Sequence, residues 1–244
     1  MITPFERALR ANGIAETIIV AVDGTNALGG SFFANSLVTG NWEDLIVEET
    51  VALIDAKFRT IAEPAARLLS GFSMGGFASW NLALKHPEVF SLAWVCCPGA
   101  WDNTGLSDTL AGWNSTYRNA YGAAYAPDPS LPFPHAQIPS LDNTDNDLII
   151  QQQWNDGFGG IQSRLQEYSA KKERLTAVCL AYGSQDEYRW IPRGTRYIAQ
   201  SMTDEGIPTT VREFSSGHRL TNAMIADSFI PFVREHLIVD HKNK

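Results

Sequence analysis

The 244-residue chain predicts an α/β fold built on a mainly parallel sheet flanked by helices, and three observations carry that prediction. Short, continuous apolar runs rich in β-branched residues read as strands buried on both faces. Segments with apolar residues at helical spacing lie between them. Strand and helix then alternate along most of the chain, as parallel strands require, because each must be reached by a long crossover.

Residues 17–22 (TIIVAV) are the first such run, closed by the turn signal Asp23-Gly24. Residues 24–41 are rich in Gly, Asn and Ser and read as a loop. From Trp42 to about Phe58, Leu45, Ile46, Val51, Leu53, Ile54 and Phe58 recur at helical spacing, with Asn41 as the expected N-cap. Residues 66–72 (ARLLSGF) read as a second strand, and 74–85 as a helix stopped by His86-Pro87. Residues 91–97 (SLAWVCC), 175–182 (LTAVCLAY) and 209–214 supply three more strands. A helix from Pro192 to about Asp204 and a closing helix from Arg219 to about His236 complete the pattern. The expected organisation is a single domain over 1–244.

Composition narrows the function classes. Hydrophobic residues make up 44% and charged residues 19%, which is globular and excludes disorder. A chain of this length can bury ~70–75% of its unfolded surface and needs no staples. No apolar run approaches the ~18 residues of a membrane span. A net charge of −8 and a pI near 5.1 argue against nucleic acid as a partner. Cys96 and Cys97 are adjacent and Cys179 is remote, so no zinc spacing exists and all three read as small core hydrophobes. The first residues lack a signal-peptide pattern, which on this start predicts the cytoplasm; a longer native N-terminus carrying a leader would place the protein outside the cell.

Residues 101–170 break the strand–helix rhythm. They hold two basic and eight acidic residues, seven Trp, Tyr or Phe side chains up to Trp154, and a Pro-rich stretch around 127–139. Seventy residues exceed an ordinary connection, so the segment is either a cap over a substrate site or an ordered surface excursion with a small core of its own.

Gly71-Phe72-Ser73-Met74-Gly75 matches G-x-S-x-G between a predicted strand and a predicted helix. A serine there sits on a sharp, strained turn, and the flanking glycines admit close backbone approach. The following helix N-terminus favours developing negative charge, with the Met74 N–H as an oxyanion donor. The plainer reading is a Gly-rich turn with an incidental serine. A nucleophilic serine needs a base, and the base an orienting acid. Asp186 and His218 each follow a predicted strand, where open α/β sheets place their sites. Asp102 and Glu187 rival Asp186 for the acid, and His135 rivals His218 for the base. His86, His236 and His241 lie at a helix end, in the closing helix and in the tail. Asp186 also suits a turn, and His218 a cap or an exposed position.

VDGTNALGGSFFANSLVTGNWEDLIVEE (22–49), GFSMGGFASWNLALKHPEVFS (71–91), YGSQDEYRWIP (182–192) and SSGH (215–218) together resemble the esterase D-type, or "putative esterase", family of the α/β-hydrolase superfamily. That family includes S-formylglutathione hydrolases, feruloyl and acetyl-xylan esterases, enterochelin esterases and mycolyltransferases. The resemblance runs from the first residues to about 238 and is weakest over 101–170. It implies Ser73 as nucleophile, His218 as base, Asp186 as its orienter and the Met74 amide as one oxyanion donor.

The sequence departs from the family upstream. Family members carry a strand ending in a His-Gly loop before the strand matching 17–22, and that loop gives the second oxyanion N–H. Here about 16 residues precede 17–22, and they read as the helix after the loop, with Thr3 as cap and Gly13 as stop. The expectation is an N-terminally truncated α/β-hydrolase-like fold whose second donor comes from a partner, from a lost segment or from the Gly24–Ser36 loop.

The function expected is a serine carboxylic-ester hydrolase working through an acyl-enzyme on short-chain or aryl esters. The alternatives are a feruloyl or acetyl-carbohydrate esterase, an acyltransferase, and a scaffold subunit that lost its oxyanion loop. No metal or organic cofactor is implied, and Gly29-Gly30 lacks a phosphate-loop pattern. Small-molecule esters are the expected partners, without nucleic acid or membrane. Exposed sheet edges predict self-association into a homo-oligomer.

Overall fold

The computed structural model of the chain describes residues 4–11 and 13–238. Helix α1 (Pro4–Arg10) leads into an irregular stretch and a small antiparallel ladder of β1 (Asn35–Ser36) and β2 (Gly40–Asn41). Helix α2 (Trp42–Asp44), a π turn (Leu45–Thr50) and α3 (Val51–Lys57) form one helical run. Strand β3 (Leu68–Phe72), α4 (Met74–Lys85) and β4 (Leu92–Cys96) follow. The long segment holds α5 (Gly105–Gly112), α6 (Ser115–Tyr125), α7 (Asp145–Trp154) and α8 (Ile161–Ser169). Strand β5 (Ala177–Gly183), α9 (Trp190–Asp204), β6 (Thr209–Phe214), α10 (Asn222–Met224) and α11 (Ile230–His236) complete the order.

Strands β3 to β6 make a four-stranded sheet in the order β3-β4-β5-β6, parallel throughout. The sequence explains which strands are central. LAWVC and AVCLAYG are apolar at every position, and every residue of β4 and β5 is buried. TTVREF carries two threonines and the adjacent charges Arg212 and Glu213, is exposed along its middle, and serves as the outer strand β6.

The first predicted strand does not form. Residues 17–22 have no regular structure, and Ile18, Ile19 and Val20 are exposed, Ile19 to 66%. A strand exists only by pairing, and among the described residues β3 pairs with β4 alone. Of the run, Val22 is anchored, in a small cluster with Ile46, Val47, Leu69 and Leu82. Apolar character predicted burial correctly for β4 and β5; here the run pairs with no strand, and β3 keeps its second edge unpaired among the described residues.

Two end signals also move. Asn41 stands at the N-cap position of α2, but its side chain makes no cap bond. Asn35 Oδ1 takes that role, accepting from Glu43 N at 2.9 Å and Asp44 N at 3.3 Å. The closing helix starts at Asn222, not Arg219, because the Thr221 hydroxyl accepts from Met224 N at 3.1 Å. Thr3 and His241 lie outside the described residues.

The 101–170 segment does not build a core apart. Trp101, Tyr121, Trp154 and Phe158 are buried in the same cluster as Phe77, Trp80 and the central strands. Phe158 seats its ring 4.5 Å from Phe77 on α4, so the insertion packs directly on the helix that follows Ser73.

Candidate active site

Ser73 joins β3 to α4 with φ 56 and ψ −114, a left-handed backbone that a non-glycine residue adopts only under strain. Neighbouring strands hold it there. Ser73 N–H donates to Cys96 O at 2.9 Å, and Gly99 N–H donates to Ser73 O at 3.2 Å. The motif glycines are unequal. A Cβ on Gly71 would lie 2.2 Å from the Gly75 carbonyl oxygen, and one on Gly76 would lie 2.5 Å from Cys96 O. A Cβ on Gly75 itself would meet nothing within 4 Å. The close approach is therefore made at Gly71 and Gly76.

His218 lies beyond β6 in the turn 215–218, and Asp186 lies beyond β5. The fold brings His218 to Ser73 across 145 residues of chain and to Asp186 across 32. His218 Nε2 is 2.9 Å from Ser73 Oγ, and His218 Nδ1 is 2.7 Å from Asp186 Oδ2. Asp186 is fully buried, and its second oxygen accepts from Tyr188 N–H at 2.9 Å. Those contacts assign the Nδ1 proton to the Asp186 side and leave the Nε2 lone pair facing the serine hydroxyl. Phe72 and Tyr188 wall the imidazole, with ring centroids 4.7 and 5.1 Å away.

The rival residues have other partners. Asp102 Oδ2 is paired with Arg193 Nε at 2.7 Å. His135 is exposed in the insertion with Nδ1 2.6 Å from Leu131 O. His86 lies 2.8 Å from Glu43, and His236 packs on Phe232. Glu187, the second rival for the acid, instead accepts the His218 backbone N–H at 2.7 Å, a contact that no sequence spacing signals. That hydrogen bond, first among several, holds the Glu187 carboxyl below its usual range.

Met74 is the first residue of α4, so its N–H has no acceptor one turn back and remains free to donate. The Gly24–Ser36 loop rests against the same residue: a Cβ on Gly30 would lie 3.0 Å from Met74 Sδ. Asn26 organises that loop, its Oδ1 accepting from Leu28 N at 2.9 Å and Gly30 N at 3.2 Å. Its Nδ2 is buried and has no hydrogen-bond partner.

Cys97 is a buried member of the core, as its apolar run predicts. It directly follows β4, is fully buried, and has φ 45. The Cys96 thiol donates toward its sulfur at 3.9 Å, which pushes Cys96 far above the usual thiol range and pulls Cys97 below it. Its position at the C-terminus of β4 also sets it beside Asp186 and His218.

The described helices include none long and apolar enough to cross a membrane. A family model described as "Putative esterase" matches residues 3–227. "Esterase MT1326" and "Esterase Rv1288", from two strains of Mycobacterium tuberculosis, are each 40% identical over 77 residues, which is 31% of this chain and 17% of theirs. The matched region thus spans about a sixth of those relatives. A ferulic acid esterase structure aligns with a TM-score of 0.59 at 16% identity, covering 95% of this chain and 75% of its own. The fluorophosphonate-binding serine hydrolase FphF of Staphylococcus aureus aligns at 0.58 and 15% identity, covering 86% and 68%. An S-formylglutathione hydrolase of the same organism aligns at 0.54 and 11% identity, covering 86% and 70%. At these identities the structures share the α/β-hydrolase fold with this chain.

Proposed function

Since the chain belongs to the "Putative esterase" family, we propose that it is a serine carboxylic-ester hydrolase acting through an acyl-enzyme, with Ser73 as nucleophile, His218 as base and Asp186 as its orienter. The observation that carries this reading is the unbroken relay from buried Asp186 through His218 to Ser73 Oγ, at 2.7 and 2.9 Å. Ser73 Oγ attacks the ester carbonyl while His218 Nε2 takes its proton. The imidazolium, stabilised by Asp186, returns that proton to the leaving alkoxide. Water, activated by the same nitrogen, then releases the acid.

The Met74 N–H is the first donor to the tetrahedral oxyanion. A second donor is worth about 2.7–4 kcal/mol of transition-state stabilisation, so its quality tunes the rate that the relay makes possible. The Gly24–Ser36 loop, seated on Met74, is the candidate source within the described residues.

Short acyl esters are the first substrates to try. Aryl esters, such as a feruloylated sugar, are favoured by one further observation. Trp113, Trp190 and Tyr188 form a continuous aromatic run from the insertion to His218, with centroid separations of 6.3, 5.0 and 5.1 Å. The test is hydrolysis of p-nitrophenyl acetate and butyrate by the 244-residue chain beside Ser73→Ala. Activity that vanishes in the folded variant supports the reading. Equal rates in both overturn Ser73 as the nucleophile, and none in either overturns the reading in favour of a non-catalytic scaffold.

A further inference from the structure

One side chain at the site, Cys97, goes unused by ester hydrolysis, and it lies against two that are used. Among the described residues, Cys97 Sγ, one Asp186 carboxylate oxygen and a His218 ring nitrogen lie within 4.8 Å of one another. We propose that Cys97, Asp186 and His218 form a binding site for a thiophilic divalent cation of the zinc class, which switches the hydrolase off. The binding stands on this geometry alone; the switching rests on the function proposed above.

The donor set selects the metal class. One sulfur, one imidazole nitrogen and one carboxylate oxygen suit zinc or cadmium, while calcium and magnesium require mostly oxygen. Bonds of about 2.0–2.3 Å in a tetrahedron place ligand atoms roughly 3.3–3.8 Å apart. The His218–Asp186 contact of 2.7 Å must open a little and the Cys97 sulfur must close by about an ångström or less. Charge also fits. A thiolate and a carboxylate neutralise a dication, so no net charge is buried beside fully buried Asp186 and Cys97. The fourth position is left for water or for an incoming group, as in other three-ligand sites.

The backbone prepares the thiol for this place. Cys97 N–H donates to Ala181 O at 2.7 Å, which pins the residue to β5, and its left-handed φ of 45 departs from the strand it follows. Asp186 Oδ1 is engaged by the Tyr188 N–H, which leaves Oδ2 as the free ligand once the histidine contact opens. His218, the one partly exposed member, is the entry point.

The proton balance explains the switching. The Cys97 thiol proton passes to solvent as the metal–sulfur bond forms. The proton on His218 Nδ1 moves to Nε2 as the metal takes Nδ1, and nothing is oxidised or reduced. Nε2 then presents N–H to Ser73 Oγ instead of a lone pair, and the serine has no base.

The full chain, freed of metal, is titrated with cadmium chloride and followed by thiolate-to-cadmium charge-transfer absorption in the ultraviolet. The expected result is one equivalent bound by wild type and by Ser73→Ala, with the band lost in Cys97→Ala. Zinc chloride should lower wild-type ester hydrolysis at least tenfold, reversibly with a chelator, and leave Cys97→Ala within twofold of its metal-free rate. A band that persists in Cys97→Ala, or equal zinc inhibition of that variant, overturns the proposal. Should Cys97→Ala not fold, X-ray absorption of the zinc-loaded wild type decides: a sulfur scatterer at about 2.3 Å supports the site, and a shell of nitrogen and oxygen alone overturns it. If the chain hydrolyses no ester, the cadmium band and the sulfur shell still test the binding separately.

Discussion

Glu187 and His218 are joined by a hydrogen bond from the histidine's backbone N–H to the carboxylate, 2.7 Å long. The neighbouring Asp186 holds the same histidine by its ring at 2.7 Å, so two consecutive carboxylates fix one residue at two points. Gly217 completes the arrangement, since a Cβ there would lie 2.7 Å from Glu187 Oε1. Glu187→Ala is expected to lower kcat ten- to a hundredfold with little change in KM, because a loosened loop misplaces Nε2 from Ser73. Glu187→Gln keeps an acceptor oxygen and should recover most of the rate. A rise in KM with kcat unchanged would show that Glu187 does not act through His218.

The same bond carries a pH dependence. Glu187 is held below the usual carboxylate range, first by the His218 N–H. A carboxylate with a lowered folded value adds stability above its unfolded value and loses it as pH falls through the folded one. The melting-temperature gap between wild type and Glu187→Ala should therefore be constant from neutrality to about pH 5 and shrink below about pH 4. A gap that widens on acidification would contradict this sign.

Asp186→Asn removes the charge and allows the wrong imidazole tautomer while leaving the shape nearly intact. In relays of this kind that change costs about 10⁴ in kcat. The expected measurement is a fall of that order on p-nitrophenyl acetate with an unchanged circular dichroism spectrum. A loss below about tenfold would transfer the orienting role elsewhere.

The turn beneath Ser73 gives a stability test that separates the motif glycines. Gly71→Ala drives a methyl group into the Gly75 carbonyl and should cost about 1–3 kcal/mol in urea unfolding. Gly75→Ala meets open space in a helix and should be neutral or stabilising by up to about 1 kcal/mol. Equal losses at both positions would mean that backbone strain, rather than contact, sets the cost.

The elements that could be read from sequence are those whose signal is local. The apolar runs of β4 and β5, the serine elbow and the Pro87 stop each depend on residues a few positions apart. Asp186 and His218 were legible because each directly follows a predicted strand, where open α/β sheets gather their site residues. The residues 17–22 failed because pairing depends on a neighbour that the run itself does not encode. Glu187 was not legible as a partner of His218 for a related reason: it acts through a backbone N–H, which leaves no spacing pattern.

Arg164 ties the insertion to the helix behind Ser73, and its replacement tests whether that attachment matters. Its Nε donates to Asn81 Oδ1 on α4 at 2.6 Å. Its other nitrogens donate to Gly160 O at 2.8 Å and Asp156 O at 2.6 Å, closing the turn that carries Phe158. The guanidinium also lies 5.3 Å from the Phe77 ring centroid. A lysine offers a point charge and cannot span three acceptors in a plane. Arg164→Lys should lose about 1–2 kcal/mol and Arg164→Met about 2–3 kcal/mol, since hydrogen bonds to a charged group are worth about 1.5–3 kcal/mol each and part of the site is solvated. The loss should be local first, seen as faster proteolytic cleavage between α6 and α8 before global unfolding. Because the insertion also carries Trp113, the KM for aryl esters should rise more than the KM for acetate. Equal effects on both esters would mean that the aromatic run supports the fold without touching substrate.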